Sequence, residues 1–217
     1  MTDTPATMSE RKYSPLTVHI EGLDLAGKST TCRLLRDRLK AEYRHCALLP
    51  DNEIYTFASS LHVAQRVRPE TAGGVFLGSV MRDLERYTPP DHFVVQDSTT
   101  ILRSIAHHSV LGDPGLADAF RELLPRYPKF GASFVLWSST EVRLMRLEGR
   151  ISRRHDTPED YFIRDYPDKF NRMQDIIIET AKEYFDAQVI DTSKMEQEGE
   201  KERLIEDLVS RLPSAGM

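Results

Sequence analysis

The chain has 217 residues, 40% of them apolar, which is enough material for one α/β domain with a substantial core. Its 34 aspartates and glutamates outnumber 29 lysines and arginines, and a net charge of -5 argues against a general nucleic-acid or anionic-membrane surface. Two cysteines without metal or redox spacing, no apolar leader core in Met1–Thr7 and no membrane-spanning run set the expectation of a cytoplasmic protein with reduced thiols.

Residues 1–14 are polar, carry Pro5 and read as a flexible tail ahead of a domain over 15–213. Leu16–Ile20 is a short buried strand that stops at Glu21-Gly22. Helical spacing then runs from Ser29 to about Tyr43. Between them stands Gly22-Leu23-Asp24-Leu25-Ala26-Gly27-Lys28-Ser29: glycine, four residues, glycine, lysine, serine. In a strand-to-helix setting this is the phosphate-binding loop. Gly22 and Gly27 permit the backbone angles that turn successive amides toward a phosphate at the positive end of the helix. Lys28 adds a charge that can reach the β- and γ-phosphates, and the Ser29 hydroxyl can ligate magnesium. The loop therefore predicts a bound nucleoside triphosphate.

Further on, His45–Leu49 reads as a second strand, ended by Pro50-Asp51-Asn52-Glu53. A helix is expected over about 54–67, a break at Pro69 and Gly73-Gly74, and another helix over about 75–87. His92–Asp97 is a third strand, residues 99–111 and 115–124 are helices, and Ser133–Trp137 is a fourth strand. A helix over 141–150, a basic polar stretch, one long helix over 158–185, a strand at 187–190 and a charged helix over 198–212 complete the chain. Such alternation implies a P-loop three-layer α/β/α fold with a mainly parallel five-stranded sheet. Ligands are expected beyond the carboxyl ends of the strands.

Three groups of residues carry candidate chemistry. Asp97 ends an apolar strand, where a carboxylate can hold magnesium or orient an attacking hydroxyl; capping the next helix is the alternative. Asp24 lies inside the phosphate loop, and a carboxylate there is better employed facing an acceptor hydroxyl than the triphosphate. Arg146-Leu147-Glu148-Gly149-Arg150-Ile151-Ser152-Arg153-Arg154 puts four arginines in nine residues. That run suits a lid over about 149–160 closing on a transferring phosphoryl group, with Arg150, Arg153 and Arg154 stabilising its charge; a solvated turn is the alternative. His107-His108 point apart on a helix and lack further ligands. Arg82 and Arg86 share one helix face and are either an acceptor-binding pair or solvated. Phe76, Tyr161, Phe162 and Tyr166 read as core or lid packing.

Taken together, Glu21-Gly22-Leu23-Asp24-Leu25-Ala26-Gly27-Lys28-Ser29-Thr30, strand-terminal Asp97, Glu141-Val142, the Arg146-x3-Arg150 pair, Asp156-x2-Glu159 and Val189-Ile190-Asp191-Thr192-Ser193 resemble the thymidylate kinases. The resemblance spans most of residues 16–212, within the wider nucleoside and nucleotide kinase group. It implies ATP as donor, magnesium held by Ser29 and Asp97, and catalysis by Lys28, Asp97, Arg150, Arg153 and Arg154. It implies ATP contacts from Gly22, Leu25, Ala26, Gly27, Lys28, Ser29, Thr30 and Arg146. Asp24, Glu53, Arg82, Arg86 and Arg103 form the acceptor set, Asp24 taking a sugar hydroxyl. A homodimer is implied as well. Leucine at 25, where some members carry a basic residue, places the chain with the lid-arginine type.

The departures fall on the acceptor side. The family has Asp-Arg at the end of the third strand, its arginine holding the acceptor monophosphate, whereas this chain has Asp97-Ser98-Thr99. The family's base-reading helix carries Phe and Arg four apart; here Val80 follows Phe76 at that distance. Losing a bidentate arginine can change the substrate, with Arg82, Arg86 or Arg103 as replacements. The expected activity is ATP- and magnesium-dependent phosphoryl transfer to a nucleoside monophosphate at an altered acceptor site. The alternatives are a kinase of a nucleoside or other small hydroxyl-bearing or phosphonate metabolite, and a non-catalytic nucleotide-binding module.

Overall fold

Five segments form strands: β1 (Tyr13–Glu21), β2 (Glu42–His45), β3 (Val94–Asp97), β4 (Lys129–Trp137) and β5 (Gln188–Asp191). The computed structural model describes residues 11–63 and 67–213, so residues 1–10 of the expected tail and 64–66 of the expected second helix lie outside the described residues. The strands pair in the order β2-β3-β1-β4-β5, every pair parallel. Ile20 stands opposite Asp97 and His45 opposite Asp97 on its other side, so the carboxyl ends of three strands finish together.

The helices are α1 (Lys28–Leu39), α2 (Glu53–Val63), α3 (Pro69–Arg86), α4 (Thr100–Val110), α5 (Pro114–Leu123), α6 (Thr140–Ser152), α7 (Phe162–Asp165), α8 (Pro167–Phe185) and α9 (Glu200–Ser210). Two buried clusters lie on the two faces of the sheet. Val18, Ile20, Phe134 and Leu136 meet Cys32 and Leu35 of α1 and Ile205 and Leu208 of α9. The other cluster joins Val135 to Val80, Ile101, Ile105, Phe120, Ile177 and Phe185 from α3, α4, α5 and α8. This is the expected α/β/α sandwich with a wholly parallel sheet.

Several boundaries differ from the expectations, among them the start of β4 at Lys129 rather than Ser133. β1 begins at Tyr13, and Ser14 is buried against Thr17 (2.7 Å between hydroxyls), so the sheet starts inside the predicted tail. The first helix, expected to run to about Tyr43, ends at Leu39, and β2 occupies Glu42–His45 rather than His45–Leu49. Cys46 takes a positive φ of 59°, and the apolar 46–49 segment is a loop, buried at Cys46, Ala47 and Leu48, whose Leu48 and Leu49 amides donate to the Asp83 carboxylate at 2.8 and 3.1 Å. Gly73-Gly74 lies within α3 instead of breaking it, because a Cβ at 73 would overlap the His108 ring and glycine lets α3 and α4 approach. The expected long helix is interrupted: Pro158–Tyr161 is a 3₁₀ turn, α7 follows, and Tyr166 adopts φ -141°, ψ 60° before Pro167 starts α8. A residue preceding proline is pushed out of the helical region, and proline is well suited to a helix start.

Candidate active site

The loop between β1 and α1 has the conformation its glycines predict. Gly22 has φ 141°, and a Cβ there would stand 2.6 Å from the Leu136 carbonyl oxygen of β4. Gly27, at φ 88°, is the N-cap of α1. Leu25 also adopts a positive φ, 63°, and its side chain turns into the core at 3% exposure, so it presents backbone alone to a ligand. Ala26 is buried, while Ser29 is exposed and Lys28 and Thr30 are half-buried on the first turn of α1. No acidic side chain occupies that turn, leaving the positive end of the helix free for an anion.

Two arginines of α6 brace the loop from behind. Arg143 is buried, and its guanidinium donates to the carbonyls of Asp24 (2.5 Å) and Ser138 (3.0 Å) and to Gln174 Oε1. It also lies 5.0 Å from the centre of the Phe170 ring. Burial pulls its pKa down to about 10. Arg146 donates to the Leu25 carbonyl at 2.8 Å and to the Thr192 carbonyl at 2.6 Å, and pairs with Glu196 at 3.1 Å. The Thr192 hydroxyl lies 2.8 Å from the Ala26 carbonyl, so the loop after β5 is fastened to the phosphate loop. Met195 covers Gly27 from the same side.

Asp97, 3% exposed, faces the loop from the end of β3. Its Oδ1 lies 4.0 Å from Lys28 Nζ, its Oδ2 accepts from Tyr43 Oη at 2.7 Å, and His45 Nδ1 stands 3.9 Å away. Burial alone would raise the Asp97 pKa; His45, Lys28 and Tyr43 outweigh it and hold the carboxyl well below the usual carboxylate range. The same contacts act on His45, which Asp97 first and Cys46 second push up to about 10 against the opposing effect of desolvation. Cys46 Sγ lies 3.5 Å from His45 Nε2.

The sign of that last shift gives a test. A folded-state pKa above the ordinary 6.5 means that the pair's contribution is full below pH 6.5 and is lost as pH rises toward about 10. The His45 ring is half-exposed, so solvent screening keeps the contribution modest. The melting-temperature difference between the wild type and His45→Gln is expected to shrink as pH rises from 6.5 to about 10 and to vanish above it. A difference independent of pH would exclude an imidazolium beside Asp97.

The acceptor side is led by Asp24 and Arg103. Arg103 Nη2 stands 3.8 Å from Asp24 Oδ1, and Nη1 donates to the Gly22 carbonyl at 3.4 Å. Burial works against the guanidinium's charge, and Asp24 and Glu21 outweigh it, raising its pKa above the ordinary arginine value. Of the three arginines considered as substitutes for the missing clamp, Arg103 is the one brought to the loop. Arg82 is half-buried on α3 beside Asp83. Arg86 precedes Tyr87, whose carbonyl receives Lys12 Nζ and whose hydroxyl donates to Ser14 Oγ at 2.9 Å, which places Arg86 toward the amino-terminal end of the central strand, away from the phosphate loop. Glu53 is exposed on the first turn of α2, next to Asn52, which caps that helix by accepting from the Tyr55 amide at 3.0 Å. Ser98, where the resemblance expects arginine, is buried at φ 63°, and Thr99 is the N-cap of α4.

The basic run divides. Arg150 is tied to Asp160, itself fixed by the Thr157 amide at 2.9 Å. Arg153 caps the end of α6 and Arg154 follows at φ 56°. Both are exposed, and among the described residues no ion pair holds either. Phe162 packs on Phe170 and Tyr166, and Phe76 lies 5.9 Å from Tyr55, ring centre to ring centre.

Sequence reasoning overlooked Glu21, Tyr43, His45 and Arg143 as individual contributors. Strand-end position could have flagged Glu21; nothing in the pattern marks Arg143 as buried.

Sheet order, loop conformation and strand-end carboxylate together define the P-loop nucleotide-kinase fold. The structure is similar to thymidylate kinase from Candida albicans, with 16% identity over 91% of this chain and 92% of that chain and a TM-score of 0.60. It is similar as well to thymidylate kinase from Ehrlichia chaffeensis (16% identity, 91% of this chain, 97% of that chain, TM-score 0.57). Deoxyadenosine kinase from M. mycoides, solved with bound dATP, matches with 15% identity over 89% of this chain and 99% of that chain, at a TM-score of 0.56. No protein-family model and no curated protein matches the sequence.

Proposed function

We propose that this protein is an ATP-dependent kinase of a nucleoside monophosphate, with an acceptor site altered from that of thymidylate kinases. The observation that carries the reading is the placement of Lys28, Asp97 and the Asp24–Arg103 pair around one phosphate loop at the carboxyl ends of the strands. Lys28 and the loop amides hold the β- and γ-phosphates of the donor, and exposed Arg153 and Arg154 at the end of α6 close over the transferring group. Asp24 orients the acceptor hydroxyl, and Arg103 meets the acceptor's negative charge.

The donor set fits magnesium. Ser29 offers an exposed first-turn hydroxyl and Asp97 an ionised carboxylate, both hard oxygens. Bound there, magnesium would supply charge neutralisation across the β- and γ-phosphates. The homodimer that the resemblance implies, and the cytoplasmic location expected from composition, belong to the same reading.

A second reading, a nucleoside kinase, is favoured by one feature: Ser98 and Thr99 replace the expected arginine, and Arg103 is already paired with Asp24. ADP release with magnesium-ATP against a panel of nucleoside monophosphates and nucleosides separates the two. Turnover is expected on a monophosphate, and Arg103→Met should raise its KM by about tenfold or more while leaving the KM for ATP unchanged. Turnover on unphosphorylated acceptors alone would establish the second reading. ATP binding without turnover of any acceptor would favour a non-catalytic nucleotide-binding module.

A further inference from the structure

Glu21 is wholly buried at the end of β1, where a carboxylate must have its oxygens answered by donors. Those donors come from two different elements. Oε1 accepts from the Gly22 amide at 3.0 Å, at the mouth of the phosphate loop. Oε2 accepts from the Thr99 amide at 2.9 Å, at the end of the turn that carries Asp97. The His19 imidazole stands 3.7 Å from Oε2 and is itself held by the Ser133 hydroxyl at 2.7 Å. Burial pushes the Glu21 pKa upward, and His19, Arg103 and the Gly22 amide outweigh it, so the group is ionised.

We propose that Glu21 is a positioning residue whose single carboxylate ties the phosphate loop to the Asp97 turn and thereby sets the separation of Lys28 from Asp97. The proposal rests on the kinase reading above, yet concerns a residue whose wholly buried side chain presents no group to nucleotide or acceptor. The chemistry explains why glutamate is needed. Glutamine has one acceptor oxygen and would turn its NH₂ toward one of the two amide N–H groups. Aspartate keeps the charge but is one methylene too short to reach both amides. The loop's backbone cradle does not depend on the tie, whereas any step that needs Lys28 and Asp97 in register does.

The test compares wild type with Glu21→Gln and Glu21→Asp. Melting temperatures are recorded alone, with ATP in chelator, and with ATP plus Mg²⁺. Both variants should keep the stabilisation given by ATP and lose roughly half or more of the further increment given by Mg²⁺. On the acceptor identified by the screen, turnover should fall by about 10²-fold in both, with the KM for ATP changed by less than about threefold. Wild-type Mg²⁺ increments and turnover in both variants would overturn the tie while leaving the kinase reading intact. Rescue by Glu21→Asp alone would overturn it too, since charge rather than span would then be what matters. Loss of ATP stabilisation in proportion to turnover would show general collapse of the loop and likewise refute it. A wild type with no response to ATP and Mg²⁺ would refute both proposals. Should the Glu21 variants fail to fold, Ser133→Ala removes only the His19 hydrogen bond. It should show a smaller loss of the Mg²⁺ increment, and an unchanged increment would overturn the proposal.

Discussion

Replacing Lys28 by methionine is expected to lower turnover with magnesium-ATP by roughly 10²- to 10³-fold, the loss seen when one preorganised donor to developing charge is removed. Lys28 sits at the positive end of α1 with its side chain 11% exposed and its ammonium on the Asp97 side of the loop. Asp97 keeps Tyr43 and His45 after the substitution, so the melting temperature should change little. Steady-state kinetics and a thermal melt on the same preparation check both halves. Turnover within about threefold of wild type would remove Lys28 from the reaction.

Arg143→Met should have the largest effect on stability. Methionine approximates the length of the arginine stem, so the loss reports what the guanidinium supplies, its hydrogen bonds together with its contact on the Phe170 ring at 5.0 Å. The Asp24 and Ser138 carbonyls and Gln174 Oε1 would lose their donor in a buried setting, at a combined cost of roughly 3–5 kcal/mol. For a chain of this size that corresponds to a melting temperature lower by about 10 °C. Urea titration gives the free energy directly. A loss under about 1 kcal/mol would show that the three acceptors find other donors and that the loop does not lean on α6.

Much of this architecture was legible because it follows from local rules. Gly22 and Gly27 occupy positive-φ positions, Lys28 opens a helix, and an apolar strand ends on Asp97, each as spacing alone requires. What escaped depends on partners distant in sequence. The 46–49 segment looks like a strand because it is apolar, yet it curls away because Asp83 of α3 takes its amides. Gly73-Gly74 looks like a break, and only the His108 ring packed against α3 explains a glycine there. Arg143 is indistinguishable from its solvent-facing neighbours until α6 is laid against the loop and Gln174 of α8. Arg103 is one arginine among many in the sequence, and it reaches Asp24 because Thr99 starts α4 at that point.

The interruption at Tyr166-Pro167 sets how movement can spread. An unbroken helix from Pro158 to Phe185 would be a rod about 40 Å long, and any tilt of its front would lever Phe170, Ile177 and Phe185 in the core. Because Pro167 has no amide hydrogen, the Ile163 carbonyl lacks its helical partner and the rod is jointed. The residues before the joint are held by their own few links, Arg150 to Asp160 and the Tyr161 hydroxyl to Asp156 at 2.7 Å, with Ile163 buried beneath. Amide hydrogen exchange is expected to be faster in this segment than in α8, reporting local opening at a free energy below that of the whole domain. Displacement of the arginine-bearing turn is then expected to leave the exchange of the core strands and of α8 unchanged.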